Sequence, residues 1–172
     1  MRILGIDPAL TITGYGIIEI NAGPKSKCGS GKNDFSLIEA GIISTTPRQL
    51  LPERLYRINS AIKKLITDTR PDVLVLEKLY AHYRHPVTAF LLGEARGVIC
   101  LACAECHIPM VEYPATRVKK IIVGAGLAGK YQVQRMITDT LNIKQLPKYT
   151  DVTDALALAI AHSHILKNRL KI

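Results

Sequence analysis

Two acidic residues, Asp7 and Glu77, each come directly after a short apolar run. Residues 3–6 and 73–76 are apolar enough to form buried strands, so each carboxylate would lie at a strand end near the centre of a sheet. A buried carboxylate is costly unless it is paired or bound to a metal ion. The local alternative is that Asp7 starts a turn with Pro8 and that Glu77 pairs with a neighbouring base.

A second pair of acids, Asp151 and Asp154, lies where the sequence predicts the start of a last helix. Their i, i+3 spacing places both carboxylates on one face of that helix. Either residue alone could instead be an acid that stabilises a helix N-terminus. The pair therefore indicates a functional site only in combination with the two acids at the strand ends.

Considered together, the four acids predict a metal site. Packed carboxylates repel one another and raise one another's pKa unless a cation neutralises them. Ligands that are all oxygen favour a hard ion such as Mg²⁺, for which Mn²⁺ would substitute. Two such ions about 3.5–4 Å apart would hold a scissile phosphate from both sides, one activating the attacking water and the other stabilising the leaving 3′ oxygen. The chemistry indicated is metal-dependent hydrolysis of a phosphodiester.

The hydrophobic pattern predicts the elements that would position these acids. Residues 2–6, 13–20 and 35–44 are expected to form an antiparallel meander, with a hairpin loop at 21–34. The pattern then alternates between helices and buried strands, and the predicted order is β-β-β-α-β-α-β-α-α-α. This order indicates an α/β layered domain with a mixed sheet, and we expect one domain over residues 1–172. The later elements are expected at 51–69 (helix), 73–76 (strand), 87–107 (helix), 108–112 (strand), 114–122 (helix), 132–141 (helix) and from 151 onward (helix).

A formal net charge of +9 on 172 residues sets the chain apart from an average globular protein. A basic domain favours a polyanionic partner, because lysine and arginine that neutralise phosphates release bound counterions. Hydrophobic residues make up 48% and charged residues 22%, which argues against a disordered chain. Glu94, Arg96 and Glu105 interrupt the apolar stretches before they reach the roughly 20 residues that span a bilayer. We therefore expect a cytoplasmic protein with no membrane contact.

Three cysteines, Cys100, Cys103 and Cys106, have the spacing C-x-x-C-x-x-C and are followed by His107. The spacing is compatible with an iron–sulfur cluster or with c-type haem attachment. We favour a core helix, because residues 91–108 form an apolar helical run and free cysteine is among the most buried residue types.

Five short motifs follow one another along the chain. They are ILGIDP at 3–8 with TGYG at 13–16, the apolar strand closed by Glu77, LGEARGV at 92–98, a basic segment made of VKK at 118–120, VGAG at 123–126 and Lys130, and DVTDALA at 151–157. In this order, from residue 1 to about residue 165, they resemble the RuvC family of bacterial Holliday junction resolvases.

The resemblance implies an RNase H-like fold, in which helices flank a mixed β-sheet, and a homodimer. It implies Mg²⁺-dependent paired nicks across four-way junction DNA in recombination and repair, in cooperation with the RuvA–RuvB branch-migration complex. The acids Asp7, Glu77, Asp151 and Asp154 match the family's metal-binding catalytic positions, with two ions per subunit. The apolar helix predicted at 87–107 is our candidate for the dimer interface, with core packing as the alternative.

Basic and aromatic residues add candidate DNA contacts. Lys119 and Lys130 fit family positions that contact phosphates near the cut, where a lysine would neutralise charge that develops in the transition state. Lys120 would do so less directly, and the alternative for all three is a solvated basic surface. Where the family often has Phe after the second acid, this chain has Tyr80, which would still stack on an unpaired base. The loop at 21–34 looks longer than the family pattern.

Three other classes of protein remain as hypotheses. A sugar kinase or actin-like ATPase also places an acid near a hairpin, but that fold needs two such domains. A junction-binding module without catalysis would keep the bases and have no need for four converging acids. A nuclease acting on RNA or on RNA–DNA hybrids would use the same metal chemistry, and only the motif set argues against it.

Overall fold

The computed structural model describes residues 1–21, 35–79, 86–143 and 147–169, which form five strands and five helices. The elements follow in the order that the hydrophobic pattern predicts. Their bounds are β1 Arg2–Asp7, β2 Ile12–Ile20, β3 Phe35–Ser44, α1 Leu51–Thr69, β4 Val73–Glu77, α2 Pro86–Glu105, β5 Met110–Tyr113, α3 Ala115–Val123, α4 Lys130–Leu141 and α5 Thr150–Arg169.

A mixed sheet with strand order β3-β2-β1-β4-β5 forms the centre of the described chain. The first three strands pair antiparallel, which confirms the predicted meander. Strand β4 pairs parallel with both β1 and β5. Because β1 and β4 run in the same direction and Ile6 lies opposite Leu76, the acids that end these strands, Asp7 and Glu77, lie at the same edge of the sheet.

One face of the sheet is covered by α3, α4 and α5, and α5 lies across β1 and β2. Every residue from Ala155 to Ser163 is buried. A helix that is buried on all sides has little amphipathic periodicity, and this explains why the segment appears in the sequence as a dense run of small and apolar residues.

The opposite face is covered by α1 and α2. The helix predicted at 51–69 is confirmed, and its apolar side chains Ile58, Ile62 and Leu65 are buried in one core with Leu4 and Leu74 of the sheet. Helix α1 ends where the sequence predicts a stop, just before Pro71. Its final N–H, from Arg70 with φ 47°, donates to the Ile66 carbonyl at 2.9 Å.

Helix α2 corrects the expectation that no stretch is long and apolar enough to span a bilayer. Residues Val87–Glu105 meet that length and composition, with a mean hydropathy of 1.7. Core helices of water-soluble proteins meet the same test. One side of α2 packs along α1, whereas Phe90 and Leu101 on its other side are exposed.

Three predicted boundaries are wrong by about two residues. Helix α2 ends at Glu105 instead of His107. Strand β5 begins at Met110 instead of Ile108, because the N–H of Ile108 donates to the Cys103 carbonyl and completes the end of α2. Helix α4 begins at Lys130 instead of Gln132, because the Gln132 side chain accepts a hydrogen bond from the Gly129 N–H at 2.9 Å and so lies inside the first turn.

The three cysteines lie in or against the core, as predicted, and Cys100 and Cys106 are half-buried. Cys103 is buried, and burial raises the pKa of its thiol to about 12, so it stays protonated and unreactive. The Cys100 sulfur lies 3.8 Å from the Met110 sulfur. Among the residues that the structure describes, no group of three or more His, Cys, Asp or Glu side chains forms a ready metal cluster.

Candidate active site

The two strand-end acids meet an acid from α5 at one pocket. A cavity of about 310 Å³ opens at the edge of the sheet where β1 and β4 end, and Asp7, Glu77 and Asp154 all line it. Lys119 from α3 and Lys130 from the start of α4 line the same cavity. The rest of the wall is mainly apolar and consists of Ala115, Val118, Val133, Ala157 and Leu158.

Glycines allow α5 to bring its acids this close to the sheet. A Cβ added to Gly5 would overlap the Ala155 carbonyl, and a Cβ added to Gly14 would overlap the Asp151 backbone. Any larger residue at these two strand positions would push the helix backbone away from the sheet. Two glycines of β1 and β2 therefore determine how near Asp151 and Asp154 come to Asp7.

Burial and mutual repulsion disturb the ionisation of the pocket acids. The pKa of Asp7 is raised to about 7, chiefly by burial and further by the neighbouring carboxylates of Asp154, Glu77 and Asp151, while Lys130 opposes them. Burial also raises the pKa of Glu77, again with a contribution from Asp154. The pKa of Asp154 is raised chiefly by its burial. These directions indicate a concentration of negative charge that lacks sufficient cations of its own.

The two pocket lysines counter this charge, and Arg96 adds to their effect at Glu77. Lys119 and Lys130 both lower the pKa of Glu77 and of Asp154. Neither lysine appears in an ion pair within 4.0 Å among the described residues. Their ammonium groups are therefore available to an incoming anion, and both line the same cavity as Asp7, Glu77 and Asp154.

Arg96 of α2 supports Glu77 from behind, a role that sequence reasoning missed. Its guanidinium donates to the Glu77 backbone carbonyl at 2.7 Å and also forms an ion pair with Glu112 of β5. Arg96 lies within the motif LGEARGV, so its position was noted, but a bond to a backbone carbonyl leaves no trace in a sequence. This arginine ties the ends of β4 and β5 to α2.

Arg54 holds the loop that follows Asp7, and it too was missed. Its buried guanidinium donates to the Leu10 carbonyl at 3.3 Å, to the Thr11 hydroxyl at 3.1 Å and to the Thr45 hydroxyl at 2.9 Å. Thr13 adds a further tie, because its hydroxyl donates to the Ala9 carbonyl at 2.5 Å. The turn that follows the first acid is thus fixed by side chains from α1, β2 and the segment after β3.

His162 of α5 is a buried polar residue beside the site. It is 5% exposed, and its Nδ1 lies 2.7 Å from the Tyr113 hydroxyl. Tyr113 ends β5, next to Glu77 in the neighbouring strand, and Arg117 lies over its ring at 5.4 Å. The pair joins α5 to the end of β5 beneath the site.

The remaining predicted site residues differ in their placement. Asp151 is half-buried in the first turn of α5 and does not line the cavity, although its charge reaches Asp7 and Asp154. Lys120 is exposed on α3 and also lies outside the cavity lining. Tyr80 and most of the loop at 21–34 lie outside the described residues.

The donor set fits hard divalent cations. The acids present oxygen, and the neighbouring carboxylates that, after burial, raise the pKa values of Asp7, Glu77 and Asp154 produce a repulsion that a cation would relieve. No three acids of the described chain are close enough to form a complete cage for one ion. Mg²⁺ is commonly held by one or two carboxylates, with water and substrate phosphate oxygens completing its shell, so this open arrangement suits it.

Carboxylates at the ends of two parallel strands and on a facing helix, beside two lysines, define a phosphoryl-transfer site of the metal-dependent nuclease class. The family model described as crossover junction endodeoxyribonuclease RuvC matches residues 3–162. The chain belongs to this family of endodeoxyribonucleases.

Individual relatives agree with the family assignment. The crossover junction endodeoxyribonuclease RuvC of Rhodopirellula baltica is 40% identical over 166 residues, which is 96% of this chain and 88% of the relative. The RuvC of Alkaliphilus oremlandii is 40% identical over 95% of this chain and 93% of its own. The structure of Thermus thermophilus RuvC in complex with Holliday junction substrate superposes with a TM-score of 0.87 at 27% identity, covering 98% of this chain and 96% of that one. The predicted RNase H-like α/β fold is thereby confirmed.

Proposed function

We propose that this endodeoxyribonuclease resolves Holliday junctions by paired, symmetric nicks in strands of like polarity. The observation that carries the proposal is the single cavity in which Asp7, Glu77 and Asp154 meet Lys119 and Lys130. Acids alone would indicate a general cation site. Acids beside two lysines that form no ion pair within the described part of the chain suit a metal-bridged phosphate. Support for the junction as substrate comes from the family and from the relative solved with such a junction.

The four acids Asp7, Glu77, Asp151 and Asp154 would hold two Mg²⁺ ions per subunit, and Mn²⁺ would substitute. When bound, such ions lower the pKa of a bound water and neutralise charge on the phosphate oxygens. Burial and the neighbouring carboxylates raise the pKa of Asp7 to about 7 in the metal-free protein. Cation binding at neutral pH should therefore release a proton from this residue.

Lys119 and Lys130 act on the DNA side of the pocket. Each places an ammonium group where it can contact the phosphate next to the scissile bond and counter the charge of the transition state. Lys120, which is exposed on the same helix as Lys119, would contact a more distant phosphate. Tyr80 is proposed to stack on an unpaired base of the junction.

A second copy of the chain would supply the second active site, because two symmetric cuts call for two sites related by a two-fold axis. Helix α2 is the proposed interface. Phe90 and Leu101 are exposed on one side of it, and Gly93 and Gly97 between them have open space where a side chain would be, so a partner helix could approach closely. The Arg96 bond to Glu77 would connect that interface to the metal site.

Other parts of the proposal rest on family membership alone. We expect one nuclease domain over residues 1–172, action together with the RuvA–RuvB branch-migration complex, and a role in homologous recombination and DNA repair in the cytoplasm.

The test is a cleavage assay on a synthetic four-way junction, a linear duplex of the same sequence and an RNA–DNA hybrid, each with Mg²⁺ and with EDTA. Symmetric nicks in the junction alone, only with Mg²⁺, are the expected result. If the protein bound the junction tightly but did not cut it with either Mg²⁺ or Mn²⁺, it would be a junction-binding module and not a nuclease. If the protein cut the hybrid in preference to the junction, the proposed metal site would stand and the proposed substrate would be wrong.

A further inference from the structure

Two apolar side chains beside the active site are exposed without a structural reason. Leu127 is 96% exposed and lies at the third position of a turn, Ala125–Ala128, that is closed by a hydrogen bond of 3.2 Å from the Ala128 N–H to the Ala125 carbonyl. Turn positions of this kind favour glycine and small polar residues. Tyr131, in the first turn of α4, is 66% exposed. Between them in the chain is Lys130, which lines the catalytic cavity.

The turn that carries Leu127 is held firmly against the body of the protein. Gly126 packs so closely on α3 that an added Cβ would lie 3.2 Å from the Thr116 carbonyl. Ala128 is buried in the core formed with α3, α4 and α5. Leu127 is therefore presented to solvent on an anchored support, which lowers the entropic cost of using it as a contact.

We propose that Leu127 and Tyr131 form an apolar contact for the DNA strand that enters the active site. In this arrangement Tyr131 stacks on a base and Leu127 packs against a base or sugar at the branch. Aromatic side chains interleaved with lysines are typical of surfaces that hold unstacked bases, and leucine is among the residues that proteins insert beside opened base steps. The inference rests on the proposed function, because it assigns these residues to the same DNA.

Charge and continuity favour DNA as the occupant over a protein partner. The two residues flank a lysine of the catalytic pocket, so anything bound to them lies next to the path of the scissile strand. The neighbouring exposed side chains include the bases Lys120 and Lys130, which favour a polyanion. A protein that covered Leu127 would stand beside the phosphate path and should compete with the substrate.

An apolar contact has a different experimental signature from that of a lysine. Removing a lysine that neutralises a phosphate lowers the salt dependence of binding, with a change in slope of about one for each lysine removed. Removing a side chain that stacks on a base weakens binding and leaves that slope unchanged, because a neutral group releases no counterion. The two kinds of contact can therefore be separated by measuring affinity over a range of salt concentrations.

The chain supplies matched controls on the other face of the sheet. Tyr56 and Leu50 are 73% and 69% exposed and lie on or beside α1, away from the cavity. We would measure junction binding by anisotropy, with Ca²⁺ present and without Mg²⁺, from about 50 to about 300 mM salt. Tyr131→Ser and Leu127→Ser should each weaken binding about tenfold with an unchanged salt slope. Tyr56→Ser and Leu50→Ser should bind like the wild type, and Lys119→Ala should reduce the slope.

A fluorescence experiment tests the stacking directly. The chain contains no Trp, so Tyr131→Trp introduces a single tryptophan reporter. Its emission should be quenched when the junction binds, whereas the emission of Tyr56→Trp should not change. Melting curves of all variants would show that these exposed substitutions leave the fold intact.

The outcomes separate the inference from the proposed function. Wild-type protein that bound no junction would overturn both. The inference alone would be overturned by a different set of results. The wild type would bind the junction, Tyr131→Ser and Leu127→Ser would bind it with the same affinity as their α1 controls, and the Tyr131→Trp emission would not be quenched. A reduced salt slope in the Tyr131 variant would also overturn it, because the residue would then act on phosphate contacts and not on a base.

Discussion

The two faces of the sheet are covered by helices in different ways. On the face of α5, Gly5 and Gly14 allow the helix backbone to lie directly against the strands. On the face of α1 and α2, Ile58 and Ile62 meet Leu4, Leu74 and their neighbours through large side chains. The first arrangement fixes the distance between backbones, whereas the second leaves a layer of side chains between them that can repack.

The difference explains where the catalytic acids lie. Asp151 and Asp154 belong to the helix whose distance from the sheet cannot vary, and they face the acid at the end of β1. A shift of about 1 Å in such a site can slow a reaction about a hundredfold. The face of α1 and α2 contributes to stability, and its packing is expected to tolerate exchange of one aliphatic residue for another.

Removal of one acid should have the largest effect. Asp7→Asn keeps the shape of the side chain but removes the carboxylate whose pKa Asp154, Glu77 and Asp151 all raise. Cleavage should fall roughly 10³-fold or more, while junction binding stays within about twofold, because the lysines that touch phosphate are unchanged. Single-turnover cleavage with Mg²⁺ and gel-shift binding with Ca²⁺ would measure both. A variant that cuts at the wild-type rate would refute the metal site.

A glycine substitution on the α5 face should come next. Gly14→Ala would force the Asp151 backbone away from β2, so we expect cleavage to fall about a hundredfold and the free energy of unfolding to fall by about 1–3 kcal/mol. Urea denaturation and single-turnover rates would measure the two effects.

Two control variants sharpen this comparison. Gly16→Ala meets only the Leu156 side chain, which can move, so its effect should be smaller. Ile62→Val, in the core of the other face, should cost about 0.5–1.5 kcal/mol and leave the cleavage rate of the folded protein unchanged. If Ile62→Val slowed cleavage as much as Gly14→Ala, the functional difference between the faces would not exist.

Arg96 joins α2, on one face, to the end of the strand that carries Glu77, and its substitution tests how far that face influences the site. Arg96→Lys keeps the charge but cannot contact the Glu77 carbonyl and Glu112 at once. We expect the Mg²⁺ concentration for half-maximal cleavage to rise about tenfold, as for other residues that support a metal ligand. A Mg²⁺ titration at saturating junction would show this. If the Mg²⁺ dependence of cleavage were unchanged and only the melting temperature fell, Arg96 would have a purely structural role.

The smallest expected effect is that of pH on the stability of the metal-free protein. The pKa of Asp7 is raised from 3.8 to about 7, so the folded state holds this proton more tightly than the unfolded state. Its contribution should therefore lower stability as pH rises from about 4 to about 7, and above that range the loss is complete. In EDTA, the wild type should melt several degrees lower at pH 8 than at pH 5.5, and this difference should shrink in Asp7→Asn. An equal pH dependence in the two proteins would contradict this account.

Several features of the site were predictable because they depend on local patterns. An apolar run that ends in a charge indicates a buried strand with an acid at its end, and this was sufficient for Asp7 and Glu77. The spacing of Asp151 and Asp154 placed both on one side of α5. The family motifs then grouped Lys119 and Lys130 with the acids, and the structure brings both lysines into the same cavity.

The interactions that hold the site in place were not predictable, because they join residues far apart in the chain. Gly14 is part of the TGYG motif, but glycine is needed there because the backbone of Asp151, near the other end of the chain, packs against it. The bonds of Arg54 and Arg96 go to backbone carbonyls, which every residue possesses. Burial of His162 depends on Tyr113, which lies 49 positions away. Such interactions become visible only when the fold is known.

The close packing of α5 on the sheet also has a consequence for synthesis. The acids enter the chain at positions 7, 77, 151 and 154, and α5 follows all the strands that it covers. Because a ribosome adds about 5–20 residues each second, strands β1 to β5 exist for seconds before this helix emerges. During that interval the nascent chain exposes the glycine-lined face of its sheet and lacks half of its acids. The order of the elements thus keeps the polypeptide from cutting DNA until nearly all of the described fold has been made.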